Sequence, residues 1–219
     1  MAKRAVLFLH GRYPAADIPF FKKLCRGAFC VAVDGGFSFF RKANLTPDLL
    51  IGDFDSLGRM PKNLPETTKV IEAEVRKDQT DGEMALRFCL EQRYSEIDIV
   101  QPDYGDPDHF LGNVMLLRLV GSTLPKSAAL PKVRLLDRGG EIRYLNHSSV
   151  SISGGTGSSV SLLPLSRKVT YSCSGTDYRA REVTLRAGET RGLRNRITSA
   201  RARFSVQGEA LLIRRYRGR

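Results

Sequence analysis

The sequence contains no tryptophan, and it has only three histidines and four cysteines in 219 residues. No apolar run reaches the roughly 18 residues that a membrane span requires, so the sequence predicts no transmembrane helix. The cysteines Cys25, Cys30, Cys89 and Cys173 form no CxxC pair and show no zinc-like spacing with the histidines. We therefore expect reduced, mostly buried thiols and a cytoplasmic protein without a disulfide framework.

Acidic residues are scarce in the C-terminal part of the chain. Residues 1–120 contain 16 Lys and Arg against 17 Asp and Glu, whereas residues 121–219 contain 19 against 6. The formal net charge of +12 therefore comes from the C-terminal part. Such asymmetry indicates nucleic-acid contact, an anionic substrate or a solvated basic face, and for any single arginine the solvated face is the default interpretation.

The first part of the chain alternates short apolar runs with helical patterns. This order predicts an α/β domain with a doubly wound, mostly parallel sheet and with sites at the carboxyl ends of its strands. The first run is too short for a secretory signal, because His10 follows it, and it predicts a first strand instead. The predicted strands are Ala5–Leu9, Phe29–Val33, Leu49–Ile51, Ile97–Val100 and Val133–Leu136, and the predicted helices are Ile18–Leu24, Phe37–Ala43, Gly82–Gln92 and Phe110–Val120.

The second part begins near Gly139 and consists of short, often alternating runs separated by Gly, Ser, Pro and Asn. This pattern predicts a small antiparallel β-sandwich or barrel, so we expect one domain over residues 1–138 and another over residues 139–219. The glycine-rich stretch at residues 154–158 resembles a phosphate loop, but no Gly-Lys-Ser/Thr follows it. We expect a hairpin turn there.

Carboxylates follow the predicted strands of the first domain. Each one alone is explained as a turn residue, a helix cap or a solvated loop residue. In a doubly wound sheet, however, these strand ends face one crevice, so we expect the acids to converge. They are Asp34, followed by Gly35 and Gly36; Asp53 and Asp55; Asp78 and Asp81, at a helix start; and Asp106 and Asp108.

Asp53 and Asp55 stand one residue apart at the end of a buried run. If the strand alternation continued through them, both side chains would point to the same side and repel each other. A hard divalent cation such as Mg²⁺ relieves this repulsion, since it binds carboxylate oxygens and shares its remaining positions with substrate phosphates. The residues therefore predict a magnesium site for phosphoryl chemistry.

Four segments resemble, in order and spacing, the signature blocks of the thiamin pyrophosphokinase family: VAVDGGFSFF, PDLLIGDFDSLG, KDQTDGEMAL and DPDHFLGNVMLL. The later segments SSVSLLPLS, GLRN and FSVQGEALLI are similar to that family's C-terminal thiamin-binding β domain. The resemblance covers nearly the whole chain. It implies a nucleotide-binding catalytic domain at residues 1–138 and a thiamin-binding-like domain at residues 139–219.

The resemblance implies Mg²⁺-dependent transfer of a pyrophosphoryl group from ATP, the co-substrate, to thiamin, giving thiamin diphosphate and AMP. It also implies a homodimer in which the nucleotide domain of one subunit and the β domain of the other form the active site. No membrane partner is implied.

The resemblance assigns roles to individual residues. Asp53, Asp55 and Asp81 are the implied catalytic residues that hold Mg²⁺ and the triphosphate, with Asp78 as a further metal ligand. Asp53 and Asp81 are both candidates to take the hydroxyl proton, and the sequence does not choose between them. The implied nucleotide- and substrate-binding residues are Asp34, Gly35, Gly36, Gln79, Thr80, Asp108, His109, Asn113 and Asn195.

Three departures from the family pattern keep other functions open. Asp106 stands where the family has a phosphate-binding arginine, Arg194 stands where it has serine, and no tryptophan is present to stack on the thiamin pyrimidine. The alternatives are a pyrophosphokinase with another hydroxymethyl acceptor, such as a pterin, and a basic nucleic-acid-binding module on a degenerate nucleotide-binding domain. The nucleic-acid alternative ranks last because few aromatic residues lie among the arginines after Pro164.

Overall fold

The computed structural model describes residues 3–54, 61, 64–74, 78–124 and 130–217. The chain divides into two compact units, Met1–Arg138 and Gly139–Arg219. The longest helix among the described residues has 17 residues, and within these ranges no helix is long and apolar enough to cross a bilayer.

The described part of the first unit contains six strands and four α-helices, which alternate except that β4 follows β3 directly in the order of elements. Its strands are adjacent in the order β6-β5-β1-β2-β3-β4, and all neighbours are parallel. The elements are β1 Arg4–Phe8, α1 Ile18–Cys25, β2 Phe29–Val33, α2 Phe37–Ala43, β3 Leu49–Gly52, β4 Lys69–Glu72, α3 Asp81–Glu91, β5 Glu96–Val100, α4 Pro107–Thr123 and β6 Lys132–Leu136.

Both faces of this sheet are covered, as the nearly continuous apolar strands require. One face carries Val6, Phe8 and Leu50 and packs against aromatic residues of α1 and α2 in a single core. In that core the rings of Phe8 and Phe39 stack with their centroids 4.1 Å apart. The alternate strand residues are buried as well, and α3 packs against β1, β2 and β3.

The observed elements confirm the predicted α/β class, but they include a strand that the sequence analysis missed. β4, Lys69–Glu72, pairs with β3 at the edge of the described sheet and has only partly buried or exposed residues. A four-residue edge strand buries little apolar surface, so its apolar pattern is weak.

One buried carboxylate in this unit has no connection with the acidic strand ends. Asp98, in β5, is 4 % exposed. It accepts hydrogen bonds from Arg134 Nε at 2.5 Å and from Arg4 Nη2 at 2.6 Å. Burial alone would raise the pKa of Asp98, but the hydrogen bonds and charges of Arg134 and Arg4 outweigh it and bring that pKa below its ordinary value.

The described part of the second unit contains strands in two antiparallel groups, in the orders β12-β9-β14-β7 and β11-β10-β13-β8. This arrangement confirms the predicted small antiparallel β fold. The strands are β7 Gly140–Asn146, β8 Ser149–Ser153, β9 Ser159–Pro164, β10 Lys168–Ser174, β11 Ala180–Arg186, β12 Asn195–Arg196, β13 Arg201–Gln207 and β14 Glu209–Arg215.

Alternating residues build the core of the second unit. In β13 the buried residues Ala202, Phe204 and Val206 join one apolar cluster, and they alternate with exposed residues that include Arg201 and Arg203. Residues 154–158 join β8 of one group to β9 of the other. Our expectation of a hairpin turn at this place was therefore wrong, since the two flanking strands do not pair with each other.

The second unit also contains a buried acid between two arginines. Glu141, which is 3 % exposed, accepts two hydrogen bonds from Arg143 Nη2, at 3.0 and 3.2 Å. Arg214 Nη1 lies 3.8 Å from the same carboxylate. The second unit thus repeats the arrangement around Asp98, with one carboxylate between two guanidinium groups.

Candidate active site

Asp34 lies directly after β2, in a short 3-10 turn that ends at Gly36. Its φ angle is 45°, a left-handed conformation that Asp tolerates better than most residues, and the residue is only 7 % exposed. The turn packs tightly on β1, because a Cβ added to Gly36 would fall 1.8 Å from the carbonyl oxygen of Phe8. The packing therefore explains the glycine and holds Asp34 at the carboxyl edge of the sheet.

Asp53 lies at the same edge, after β3. The chain turns sharply there: β3 ends at Gly52, where a Cβ would come 2.9 Å from Cβ of Asp34, and the buried Phe54 has a φ of 61°. A left-handed bulky residue costs about 1–3 kcal/mol and is typical of functional turns. The strand alternation assumed for Asp53 and Asp55 thus ends before Phe54, and Asp55 lies outside the described residues.

Asp81 is the first residue of α3, and Thr80 caps that helix. Thr80 Oγ1 accepts a hydrogen bond from Glu83 N at 3.2 Å. Asp81 and Gln79 are half-buried and Asp78 is exposed. Asp81 therefore lies where the positive end of the helix dipole favours an anion.

The structure brings three of the predicted acids together. One carboxylate oxygen from each of Asp34, Asp53 and Asp81 lies within 4.8 Å of the other two. Asp34 Oδ1 is buried, and within the part of the chain that the structure describes it has no hydrogen-bond partner. A buried carboxylate oxygen without a donor is costly, and a bound cation is one way to satisfy it. Asp53 and Asp81, which we expected to be metal ligands, both belong to this cluster. Asp34 also belongs to it, although we expected Asp34 to bind substrate. Among the described acids, the expected ligand Asp78 is not part of the cluster.

The loop between β5 and α4 is held by side-chain amides. Asn113 Nδ2 donates to Gln101 Oε1 at 2.7 Å, and Gln101 Nε2 donates to the carbonyl oxygen of Asp103 at 3.0 Å. Asn113 also lies against the start of α3, since a Cβ on Gly82 would fall 3.4 Å from its Oδ1. This predicted nucleotide-binding residue therefore orders the loop beside the acidic cluster.

The other predicted residues of this loop are exposed. Asp106 precedes α4 and forms no side-chain capping hydrogen bond. Asp108 Oδ1 accepts from His109 N at 2.8 Å, so the carboxylate of Asp108 is engaged at the helix start. His109 itself is exposed.

Asn195 lies in the second unit, where its side chain holds an exposed tyrosine. Its Oδ1 accepts from Tyr178 N at 3.0 Å, and its Nδ2 donates to the carbonyl oxygen of Tyr178 at 2.7 Å. Thr176 Oγ1 donates to the same carbonyl at 2.9 Å. Tyr178 is nevertheless 79 % exposed. These bonds fix the backbone at Tyr178 and leave its aromatic ring open to solvent, and the sequence analysis assigned no role to this residue.

Comparison with known proteins connects these features to one family. Residues 21–125 match the family model described as "Thiamin pyrophosphokinase, catalytic domain". The chain is 29 % identical over 192 residues to a protein of Bacillus subtilis named thiamine pyrophosphokinase, covering 84 % of this chain and 86 % of that protein.

Solved structures agree with the fold. The thiamine pyrophosphokinase of Bacillus subtilis superposes with a TM-score of 0.78 at 24 % identity, covering 98 % of this chain and 99 % of that one. The enzyme from Geobacillus thermodenitrificans superposes with a TM-score of 0.80 at 24 % identity, over 97 % of both chains. For the enzyme of Candida albicans the TM-score is 0.73 at 17 % identity, over 98 % of this chain and 89 % of that one.

Proposed function

We propose that the chain is a member of the thiamin pyrophosphokinase family, as its match to the catalytic-domain model and its similarity to the Bacillus subtilis protein indicate. It would then transfer the pyrophosphoryl group of ATP to the hydroxyl of thiamin and release AMP. The observation that carries this proposal is the convergence of Asp34, Asp53 and Asp81 inside the segment that the family model matches. A pyrophosphokinase for another hydroxymethyl acceptor needs the same cluster, so the acceptor is tested separately.

Mg²⁺ fits the residues of this cluster. Their donors are carboxylate oxygens, which Mg²⁺ prefers, and the unpartnered Oδ1 of Asp34 supports a cation at this place. We propose that Asp34, Asp53 and Asp81 hold Mg²⁺, with Asp55 and Asp78 as further ligands. When bound, Mg²⁺ neutralises the charge that develops on the phosphate oxygens during transfer.

The residues of the first unit position the reactants. The start of α3, with Gln79 and Thr80, favours the negative charge of a phosphate. Asp53 and Asp81 are half-buried and therefore reachable by substrate. One of these two accepts the proton from the attacking hydroxyl.

The second unit contributes residues that bind the acceptor. We propose that the exposed ring of Tyr178 stacks on the pyrimidine of thiamin and takes the place of the tryptophan that this chain lacks. Asn195 then acts as a positioning residue, because its amide holds the backbone of Tyr178 on both sides. We further propose a cytoplasmic homodimer in which the two domains of different subunits form each active site.

The experiment that tests the reaction is an acceptor screen with the purified protein, ATP and MgCl₂. We expect AMP, and not ADP, to be released with thiamin, and neither to be released without an acceptor. Removal of the metal with EDTA abolishes turnover, and MgCl₂ restores it. AMP release with a hydroxymethyl pterin but not with thiamin would assign the chain to the alternative acceptor, and ADP release would refute pyrophosphoryl transfer.

A second screen tests the acceptor side. Tyr178→Ala is expected to raise KM for thiamin by about 10-fold, as loss of one aromatic stack predicts, and to leave KM for ATP unchanged. Tyr216→Ala, at the end of β14, is the matched control in the same unit. An unchanged KM for thiamin in Tyr178→Ala contradicts the stacking role.

A further inference from the structure

His10 lies between the two loops of the candidate active site. It follows β1, which pairs with β2 on one side and with β5 on the other. The acid Asp34 follows β2, and the loop held by Asn113 follows β5. His10 is therefore at the same carboxyl edge as the acidic cluster.

Packing on both sides holds the His10 loop in place. A Cβ added to Gly35 would fall 1.9 Å from Nδ1 of His10, so the imidazole lies directly against the residue after Asp34. On the other side, Arg12 N donates to Asp103 Oδ2 at 2.7 Å. A Cβ on Gly11 would fall 2.6 Å from Cγ of Pro102. These contacts fix the loop to both neighbouring loops before any ligand binds.

The far edge of the imidazole is available to a ligand. The ring atoms of His10 nearest to Gly35 are Nδ1, Cε1 and Cγ, so Nε2 lies on the opposite edge. His10 is exposed, and among the described residues none forms a hydrogen bond or an ion pair with its side chain. A side chain that is fixed by packing but has no polar partner is suited to bind something else.

Charge indicates what that ligand is. The cluster of Asp34, Asp53 and Asp81 attracts cations, and Asp106 stands where the family resemblance predicts a phosphate-binding arginine. Asp106 therefore cannot supply a positive or hydrogen-bond-donating partner for a nucleotide phosphate. An imidazole N–H can supply one, since a hydrogen bond to a charged acceptor is stronger than one to a neutral acceptor.

We propose that His10 is a phosphate-binding residue that donates a hydrogen bond from Nε2 to the triphosphate of ATP and partly replaces the arginine absent at position 106. This inference rests on the proposed use of ATP. It adds the β1–α1 loop to a site otherwise built from the loops after β2, β3 and β5 and from the start of α3.

The test compares two matched variants, His10→Asn and His147→Asn. His147 is exposed, lies in the second unit and has a φ of 42°, which asparagine tolerates. Binding of ATP with MgCl₂, without thiamin, is measured by isothermal titration calorimetry. We expect His10→Asn and His10→Ala to weaken ATP binding by about 10-fold to 100-fold and His147→Asn to leave it unchanged. Thermal unfolding of the variants checks that each one folds.

Tripolyphosphate and adenosine separate a phosphate contact from a base contact. Binding of tripolyphosphate should weaken in His10→Asn as much as binding of ATP, whereas binding of adenosine should not change. If adenosine binding weakens instead, or if ATP binds both variants equally, the inference about His10 is wrong while the proposed function stands. If the unchanged protein does not bind ATP at all, both fail.

Discussion

The two units of this chain handle charge in opposite ways. The first unit, with 20 Lys and Arg against 18 Asp and Glu, gathers three carboxylates within 4.8 Å. The second has 15 Lys and Arg against 5 Asp and Glu, and its arginines in β13 lie on an exposed strand face. Topology explains the difference, because loops that follow parallel strands all leave one edge of the sheet, whereas antiparallel strands end at both edges. A parallel sheet therefore brings the charges of these loops together at one edge, whereas an antiparallel sheet distributes them between two edges.

The largest expected effect is on catalysis and separates the two units. Asp53→Asn or Asp81→Asn should lower kcat/KM for AMP release by at least about 10³-fold, because in the proposed mechanism each removes a charge that acts at the transferring phosphate. Arg203→Ser, on the exposed face of β13, is the matched charge change in the second unit and should leave the rate unchanged. A comparable loss of kcat/KM in Arg203→Ser would show that the dispersed charges of the second unit matter for catalysis as much as the clustered charges of the first.

The next effect concerns a feature that the two units share, the buried acid between two arginines. Asp98→Ala and Glu141→Ala should each lower the free energy of unfolding by about 3–5 kcal/mol, since each leaves two guanidinium groups without their carboxylate. Urea unfolding measures this cost. Losses below about 1 kcal/mol would indicate that these ion pairs behave like exposed ones.

The same acid gives a pH dependence. Because the pKa of Asp98 in the folded protein lies below its ordinary value of about 4, its contribution to stability is fully present above about pH 4 and disappears as the pH falls through the folded pKa. Asp98→Asn should therefore flatten the fall of Tm below pH 4 without adding a new dependence above pH 5. If Tm falls as steeply below pH 4 in the variant as in the unsubstituted protein, other carboxylates determine the acid sensitivity.

A smaller effect, of opposite sign, is expected at the acidic cluster. Asp34→Asn keeps the shape of the side chain but removes one of three neighbouring like charges, and asparagine tolerates the φ of 45°. In the presence of EDTA, the variant should be more stable than the unchanged chain by about 1 kcal/mol, and it should gain less from added MgCl₂. Differential scanning calorimetry with and without the metal decides this, and a destabilised variant would contradict repulsion within the cluster.

The smallest expected effect is nucleic-acid binding by the basic second unit. We expect at most weak, sequence-independent binding to a duplex oligonucleotide, which disappears near physiological ionic strength because it rests on dispersed phosphate contacts. Fluorescence anisotropy at several salt concentrations measures it. Tight binding at about 0.15 M salt would favour the nucleic-acid alternative.

Much of the first unit could be predicted because its strands are short apolar runs that end in acids. Strand order predicted that the acids at the strand ends converge, and Asp34 and Asp53 do so. Asp81 joins them from α3, which follows the strand β4 that was not predicted, whereas Asp106 and Asp108 are not part of the cluster. The position of Asp34 within the cluster could not be predicted from the sequence. It depends on a left-handed turn at Asp34 and on the packing of Gly52 against that turn. Local sequence patterns do not contain such close backbone contacts.

The residues that the sequence analysis missed share a physical reason. Tyr178 gains its position from hydrogen bonds to Asn195, and His10 gains its position from Gly35 in a neighbouring strand connection. In each case the two partners are well separated in the sequence. The spacing of apolar residues in a segment shows which of its side chains face the core. It does not show which exposed residue is held in place by a segment distant in the sequence.

The central position of β1 has a consequence for synthesis of the chain on the ribosome. β1 is made first, and β2 follows soon after it, but its other neighbour, β5, begins only at Glu96. Until then one edge of this buried strand has no partner, and an unpaired apolar edge is a template for aggregation. Nascent chains that end between Gly52 and Glu96 already contain Asp34 and Asp53 but cannot close the sheet around β1. We therefore expect translational pausing within this stretch to reduce the yield of folded protein more than pausing after Leu136.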